Sequence, residues 1–294
     1  MHFVNAKTIL SAKPCGMNIY RGCSHGCIYC DSRSRCYQFT HTFEDIEVKQ
    51  NAVELLADAL RRKRRRCMIG TGSMCDPYIP AEKELCLMRR CLEVIDRYDF
   101  GAALLTKSDL LLRDLDIMER INRKAKAVVQ MTLTTADDNL CRLIEPGVCP
   151  TSRRFEVLCE CKKLGIPTVV WFSPILPFIN DTKENVDGIL DYCIRAGVKA
   201  ILCFGIGLTL REGNREYFYP ALDRLGTQHS QFANLKERYI STFGNNYMIT
   251  SPHNNELMAH ISQVCKKNNI MLGVENIFKW IEEFPENSLQ PDLF

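Results

Sequence analysis

Short apolar runs alternate with amphipathic stretches along most of the chain. The runs lie at 16–20 (GMNIY), 67–71 (CMIGT), 101–106 (GAALLT), 127–133 (AVVQMTL), 167–173 (PTVVWFS) and 199–206 (KAILCFGI), each of strand length. Between them, helical periodicity occupies 50–65, 81–97, 109–124, 152–164 and 183–196. Ser108 or Asp109 caps one of these helices, and Gly165 and Gly197 follow the ends of two others. The spacing from strand to strand leaves room for a strand, a helix and two loops. Six such units predict an α/β fold with a parallel sheet and right-handed crossovers. Six is short of the eight of a closed barrel, so the expected fold is a partial (β/α)6 TIM-type barrel. Beyond residue 207 the pattern loosens into polar and aromatic helices, 215–242 and 254–268, expected to cap one side. No repeat or low-complexity linker divides the chain. The expected organisation is a core over 1–206, a helical C-terminal extension over 207–282 packed on the barrel, and a flexible tail over 283–294.

Composition narrows the function. The 294 residues carry a formal net charge of +3 and 25% charged residues, which does not mark a strongly basic nucleic-acid binder. The start, MHFVNAKTILSAK, lacks the apolar core of a signal peptide. No apolar stretch approaches the ~18 residues of a membrane span. Sixteen cysteines are spread along the whole chain. A reducing cytoplasm is the expected location, where clustered cysteines indicate metal or redox chemistry and not disulfides.

The cysteines do cluster once. Residues 20–31, YRGCSHGCIYCD, place Cys23, Cys27 and Cys30 in a Cys-x3-Cys-x2-Cys spacing, immediately after the first strand. In parallel α/β folds, ligands bind at that end of the strands. Thiolates suit a [4Fe–4S] cube, and three of them leave one iron open to a non-protein ligand. Two alternatives stand beside this reading: a zinc site completed by His25, although the tight loop gives poor tetrahedral geometry, and a chance coincidence among 16 cysteines.

The motif and its placement resemble the radical S-adenosylmethionine (SAM) superfamily, and within it the spore photoproduct lyase-like group, over roughly residues 15–200. The resemblance implies that Cys23, Cys27 and Cys30 hold three irons while SAM chelates the fourth. It further implies that SAM is cleaved reductively to a 5′-deoxyadenosyl radical, with a flavodoxin or ferredoxin as electron donor. Tyr29 matches the superfamily's frequent aromatic. Four further stretches carry the likeness: GTGSMCDPYIPAEKE (70–84), LLTKSDLLLRDLDIM (104–118), MTLTT (131–135) and EPGVCPTSRRF (145–155). They nominate Gly70, Thr71, Gly72, Lys107, Thr132, Thr134 and Arg154 as SAM-binding residues, with Glu145 near the same face. Pro174 and Pro177 match the group's proline-rich turn. One departure matters: where the lyase has its hydrogen-donating cysteine, this chain has Ser73, with Cys75 two residues on. Cys75 is the candidate donor, Tyr78 the next, and a buried structural thiol is the rival reading of Cys75. The implied reaction is on a nucleic-acid base, in DNA repair or modification. A small-metabolite or peptide substrate, and a non-catalytic iron–sulfur or zinc module, are the alternatives.

Other features have plainer readings. RRKRRR (61–66) closes a helix at the barrel end opposite the cysteines, as a solvated helix end or a remote phosphate contact. Cys141, Cys149, Cys159 and Cys161 fit no compact loop and read as separate thiols. Tyr217, Phe218 and Tyr219 form a plug over the open barrel or a base-stacking surface. The terminal QPDLF (Gln290 to Phe294) resembles the pentapeptide that docks bacterial repair proteins on the sliding clamp, or is an inert tail.

Overall fold

The structure, a computed structural model, describes residues 1–11 and 15–285. Its centre is a six-stranded sheet whose strands neighbour one another in chain order: β1 (Gly16–Met17), β2 (Met68–Thr71), β3 (Gly101–Thr106), β4 (Ala127–Thr132), β5 (Thr168–Trp171) and β6 (Ala200–Leu202). Every pairing is parallel, and β1 does not pair with β6, so the barrel is partial, as expected. The crossovers carry helices α1 (Ala52–Arg62), α2 (Leu87–Arg97), α3 (Leu115–Lys124), α4 (Thr151–Lys163) and α5 (Lys183–Ala196).

Every residue of β3 and β4 is buried, because a parallel sheet wrapped by its crossovers buries both faces. Successive side chains alternate between those faces. Ala102, Leu104, Val129, Met131, Val170 and Ile201 share the main core with Leu56, Leu92, Ile117, Leu158 and Ile189 of the outer helices. Met68, Ala103, Val128, Val169, Ala200 and Leu202 form a second face inside the curve of the sheet.

Beyond the barrel, a short antiparallel pair joins β7 (Gly207–Thr209) to β8 (Met248–Thr250). The helix expected over 215–242 is two, α6 (Asn214–Gln228) and α7 (Leu235–Phe243). Between them Phe232 folds back against the first helix. A Cβ at Gly226 would meet the Phe232 carbonyl at 2.8 Å, so only glycine permits that approach. Two elements follow: α8 (Asn254–Lys267) and α9 (Val274–Glu282). No helix was expected at α9, yet its Ile277 and Ile281 fill the inner face of the sheet. Next to it, Met271 exchanges backbone hydrogen bonds with Lys199 and Ile201 at the open edge.

The opening is thus closed by α9, not by the Tyr217–Tyr219 aromatics. Phe218 is instead buried against Tyr239 in a separate core, and Arg33 lies over the Tyr217 ring at 3.6 Å. The segment expected to start a flexible tail is also held at its beginning. Phe284 packs on the inner core, and Lys126 Nζ donates to the Glu283 carbonyl at 3.1 Å. The QPDLF stretch lies outside the described residues. Among those described, no helix is long and apolar enough to cross a membrane.

Candidate active site

The loop after β1 is shaped by glycines. Gly22 has φ +89°, and a Cβ there would sit 2.5 Å from the Phe43 carbonyl; that carbonyl also accepts the Cys23 N–H at 3.2 Å. From the other side, residues 144–147 form a cradle. The Ile28 N–H donates to the Ile144 carbonyl at 3.0 Å, and the Gly147 N–H to the His25 carbonyl at 2.8 Å. The Tyr29 hydroxyl donates to Glu145. The three thiols therefore hang on a loop gripped by two distant stretches of chain.

His25 supplies a third grip. Its Nδ1–H donates to the Gly147 carbonyl at 3.2 Å, and its Nε2 lies 3.2 Å from Asp76 Oδ2. Both ring nitrogens are engaged, so His25 is a strut and not the fourth ligand of a zinc tetrahedron. Nor are the sulfurs drawn together for a single ion. Among the described residues the one group of His, Cys, Asp and Glu ligands within 4.8 Å of each other is elsewhere. Three spread thiolates match the corners of a cluster better than one metal ion.

Asp76 is the hub that the sequence did not single out. It accepts from the Thr106 hydroxyl at 2.7 Å and from the backbone N–H groups of Lys107 at 2.8 Å and Tyr78 at 2.9 Å. Burial would raise its carboxyl, but His25 and these donors hold it down to about 2. One carboxylate thus ties β2's loop, β3's loop and the cysteine loop together.

The thiols differ in electrostatics. Cys23 is brought down to about 6, chiefly by the neighbouring Cys75 thiol, helped by His25 against the effect of burial. Burial pushes Cys27 and Cys30 upward, with Lys107 opposing it. Lys107 is drawn down by burial, yet Cys27, Glu145 and Asp76 hold it above its usual range. A cation held among anions at the mouth of β3 suits a carboxylate ligand.

These groups open into a cavity of about 790 Å³ at the C-terminal end of the sheet. Cys23, Cys27, Cys30, Tyr29, Gly72, Cys75, Lys107 and Thr132 all line it. Gly72 must be glycine: φ is +101°, and a Cβ would fall 1.9 Å from the Leu105 carbonyl. The remaining expected residues are placed differently. Gly70 and Thr71 do not line the cavity; they are committed to strand pairing with Ala103, Leu104 and β1. Thr134 donates to Glu145 Oε1 at 3.2 Å, just past the end of β4. Arg154 is fully buried, pairing with Glu145 at 2.6 Å and donating to the Thr132 and Cys149 carbonyls at 3.0 Å. No face of that guanidinium reaches the cavity, so Thr134 and Arg154 hold the cradle and not the cofactor.

The two candidate hydrogen donors also separate. Cys75 stands in the wall, with its S–H donating to the Gly22 carbonyl at 2.6 Å. The Cys23 thiol, then burial, keep it firmly protonated. Tyr78 is buried away from the cavity and donates to Asp114 at 3.0 Å. It is not placed to meet a substrate. Among the other cysteines, Cys141 touches Glu145 and Arg154, Cys149 donates to the Lys107 carbonyl at 3.3 Å, and Cys159 and Cys161 sit within α4. They are separate thiols. In the basic run, Arg61 pairs with Asp58 and Arg66 with Asp99, at the start of β2 and so at the opposite end of the sheet.

The outer wall was not legible beforehand. It comes from Trp171, Phe204, Met248, Asn254, Met258 and Val274, of which Phe204 is 55% and Met248 60% exposed. No motif marks them, because they meet only once β7, β8, α8 and α9 are folded.

The family model for the radical SAM superfamily matches residues 17–193, more than half of the chain. The chain belongs to the radical SAM superfamily. Its cofactors are accordingly a [4Fe–4S] cluster and SAM, and the donor set and cavity fit them. An uncharacterised protein of Mycobacterium tuberculosis is 31% identical over 219 residues, covering 71% of this chain and 62% of that protein. One from Methanocaldococcus jannaschii is 32% identical over 169 residues, covering 57% of this chain and 62% of its own length. The match thus spans under two thirds of these relatives. Among solved structures, a spore photoproduct lyase double mutant with bound AdoMet and dinucleoside spore photoproduct is similar with a TM-score of 0.62. It is 14% identical and covers 90% of this chain and 78% of that one. The radical SAM methyltransferase TsrM from Kitasatospora setae, with tryptophan substrate and a SAM analogue, gives 0.56 at 12% identity, covering 88% and 54%. At these identities the likeness is one of fold.

Proposed function

We propose that this protein is a radical SAM enzyme that cleaves SAM reductively and directs the radical at a nucleic-acid base, in DNA repair or modification. When bound, the cluster and SAM supply the 5′-deoxyadenosyl radical. The chain's own residues do the rest. Cys23, Cys27 and Cys30 would hold the cluster, Lys107 would meet the SAM carboxylate, and Thr132 and Tyr29 would bound the cofactor. Cys75, fixed as a thiol in the wall, is the proposed source of the returning hydrogen atom. The observation that carries the reading is the single cavity joining the three thiols and Lys107 to an open apolar mouth. Anaerobic reconstitution followed by a SAM-cleavage assay tests the enzyme class; absence of 5′-deoxyadenosine with a full cluster would overturn it.

The mouth supports the substrate class. Trp171, Phe204 and Met248 offer flat and polarisable surfaces, and base–aromatic stacking contributes ~1–3 kcal/mol per base. Phe204→Ala is therefore expected to weaken oligonucleotide binding about tenfold or more, while basal SAM cleavage stays at the wild-type rate. Fluorescence anisotropy with single-stranded DNA reads the first and product chromatography the second. Unchanged DNA affinity, with loss of turnover on a small aromatic compound, would favour a small-metabolite or peptide substrate.

Recruitment to DNA is proposed to come from the tail, since a net charge of +3 gives weak phosphate binding. Tethering to a clamp already threaded on DNA raises local concentration without intrinsic affinity. A peptide ending in QPDLF is expected to bind a bacterial sliding clamp, and Leu293→Ala with Phe294→Ala to abolish that binding without altering SAM cleavage. No binding at high micromolar clamp in a calorimetric titration would remove the clamp from the proposal. A flavodoxin or ferredoxin in a reducing cytoplasm is the proposed electron source.

A further inference from the structure

A small sheet beside the barrel holds a second group of ligating side chains, separate from the cysteine triad and from the cavity. Its strands are His2–Val4, Glu47–Lys49 and Tyr20–Arg21, and the first two run parallel with His2 directly opposite Glu47. Side chains opposite one another on adjacent strands project from the same face. His41, on the loop leading into Glu47, stands edge-on to His2 with ring centroids 5.0 Å apart. One ligand atom from each of His2, His41 and Glu47 lies within 4.8 Å of the other two.

The second ring nitrogens show how both imidazoles are set. His41 Nδ1 is 2.9 Å from the Thr42 carbonyl, which can only accept, so Nδ1 carries the proton and Nε2 keeps its lone pair. His2 Nδ1 is 3.0 Å from the Asp45 carboxylate, which fixes the same tautomer. Metal-ligating histidines almost always donate their other N–H to a carbonyl or a carboxylate in this way. An independent observation points to a missing partner. His41 Nε2 is buried with no hydrogen bond, 3.9 Å from Glu47 Oε2, and a buried acceptor left unmatched is unfavourable.

We propose that His2, His41 and Glu47 bind a divalent transition metal, with zinc the best match to two imidazoles and one carboxylate. Calcium and magnesium prefer all-oxygen sites. Three protein ligands leave a position for water. The ion would join the first strand to the segment that carries Phe43, whose carbonyl receives the Cys23 N–H. It therefore braces the support of the cluster loop without taking part in the chemistry.

The test uses the full chain with its cluster reconstituted anaerobically, stripped of loose metal by a mild chelator. After equilibration with zinc and desalting, zinc and iron are counted in the same sample by mass spectrometry. About one zinc per chain is expected beside the ~4 irons of a filled cluster. His41→Gln and Glu47→Gln should each lower retained zinc by at least tenfold with iron unchanged. Asp45→Asn, which alters the orienting partner of His2 together with its ion pair to the Met1 ammonium, should weaken zinc binding by about 10–100-fold. Wild-type protein that retains no zinc overturns the proposal. So does equal retention by His41→Gln, or zinc that appears only as iron is lost, which would place it at the cysteines. The wild-type count decides the matter even if a variant fails to fold.

Discussion

Alanine at Cys23, Cys27 or Cys30 is expected to remove the brown colour of reconstituted protein and to reduce SAM cleavage to background. Each substitution takes an anionic ligand from a site that has three. Two sulfurs cannot hold a cube whose fourth iron is reserved for the cofactor. The loss should be close to complete in each case, because a neutral water is a far weaker iron ligand than the thiolate it would replace. Alanine at Cys159, in the outer helix α4, should leave iron content and cleavage near wild type. Iron analysis and 5′-deoxyadenosine quantitation on the same samples check both outcomes. Equal cluster loss from Cys159→Ala would mean that the ligands have been misassigned.

The second large effect is expected at a residue that never touches the cofactor. Glu145 and Arg154 form an ion pair with both side chains fully buried. Burial would raise the Glu145 carboxyl, but Arg154 and then Lys107 hold it below its usual range. Arg154→Ala leaves a carboxylate in the interior without its partner, and losses of about 3–5 kcal/mol follow when one member of such a pair is removed. The Thr132 and Cys149 carbonyls lose their donors as well. Urea unfolding of the apoprotein should show the change as a lower midpoint at similar slope. Because Glu145 anchors Tyr29, cluster occupancy should fall with it. The double variant Glu145→Gln with Arg154→Met should recover part of the stability, since neither member of the pair is then left as an unmatched charge. A wild-type midpoint for Arg154→Ala would show that the pair does not hold the cradle.

Both expectations rest on parts of the molecule that were unequally legible in the sequence. The six strands announce themselves because each is apolar on both faces. β1 was drawn too long, at 16–20, because the chain leaves the barrel after Met17 to pair Tyr20 and Arg21 with a different sheet. The cysteine triad stands out in the sequence by its spacing together with its place directly after the first strand. Thr134 and Arg154 were found as residues of the right region but assigned to the cofactor. A sequence places a polar group near a site without showing that a neighbouring carboxylate has already claimed it. Asp76 was invisible as a hub, since its partners lie far from it in sequence, Thr106 and Lys107 at the end of β3 and His25 in the cysteine loop. Helix α9 escaped although Val274, Ile277, Phe278 and Ile281 recur at helical period, because it is only nine residues long and stops just ahead of Pro285.

The grip on the cysteine loop bears on when the protein can acquire iron. During synthesis the three thiols emerge within the first thirty residues, but nothing yet holds them in place. Asp76 must follow before His25 has its counter-charge, and Ile144 to Gly147 before the loop has its backing. Arg154 must come after that, to neutralise the glutamate at the centre of that backing. Roughly half of the chain has to be made and folded before the thiols face one another. Delivery of the cluster is therefore a step that follows folding of the barrel, and a nascent chain halted before residue 154 should offer an iron–sulfur carrier no assembled site.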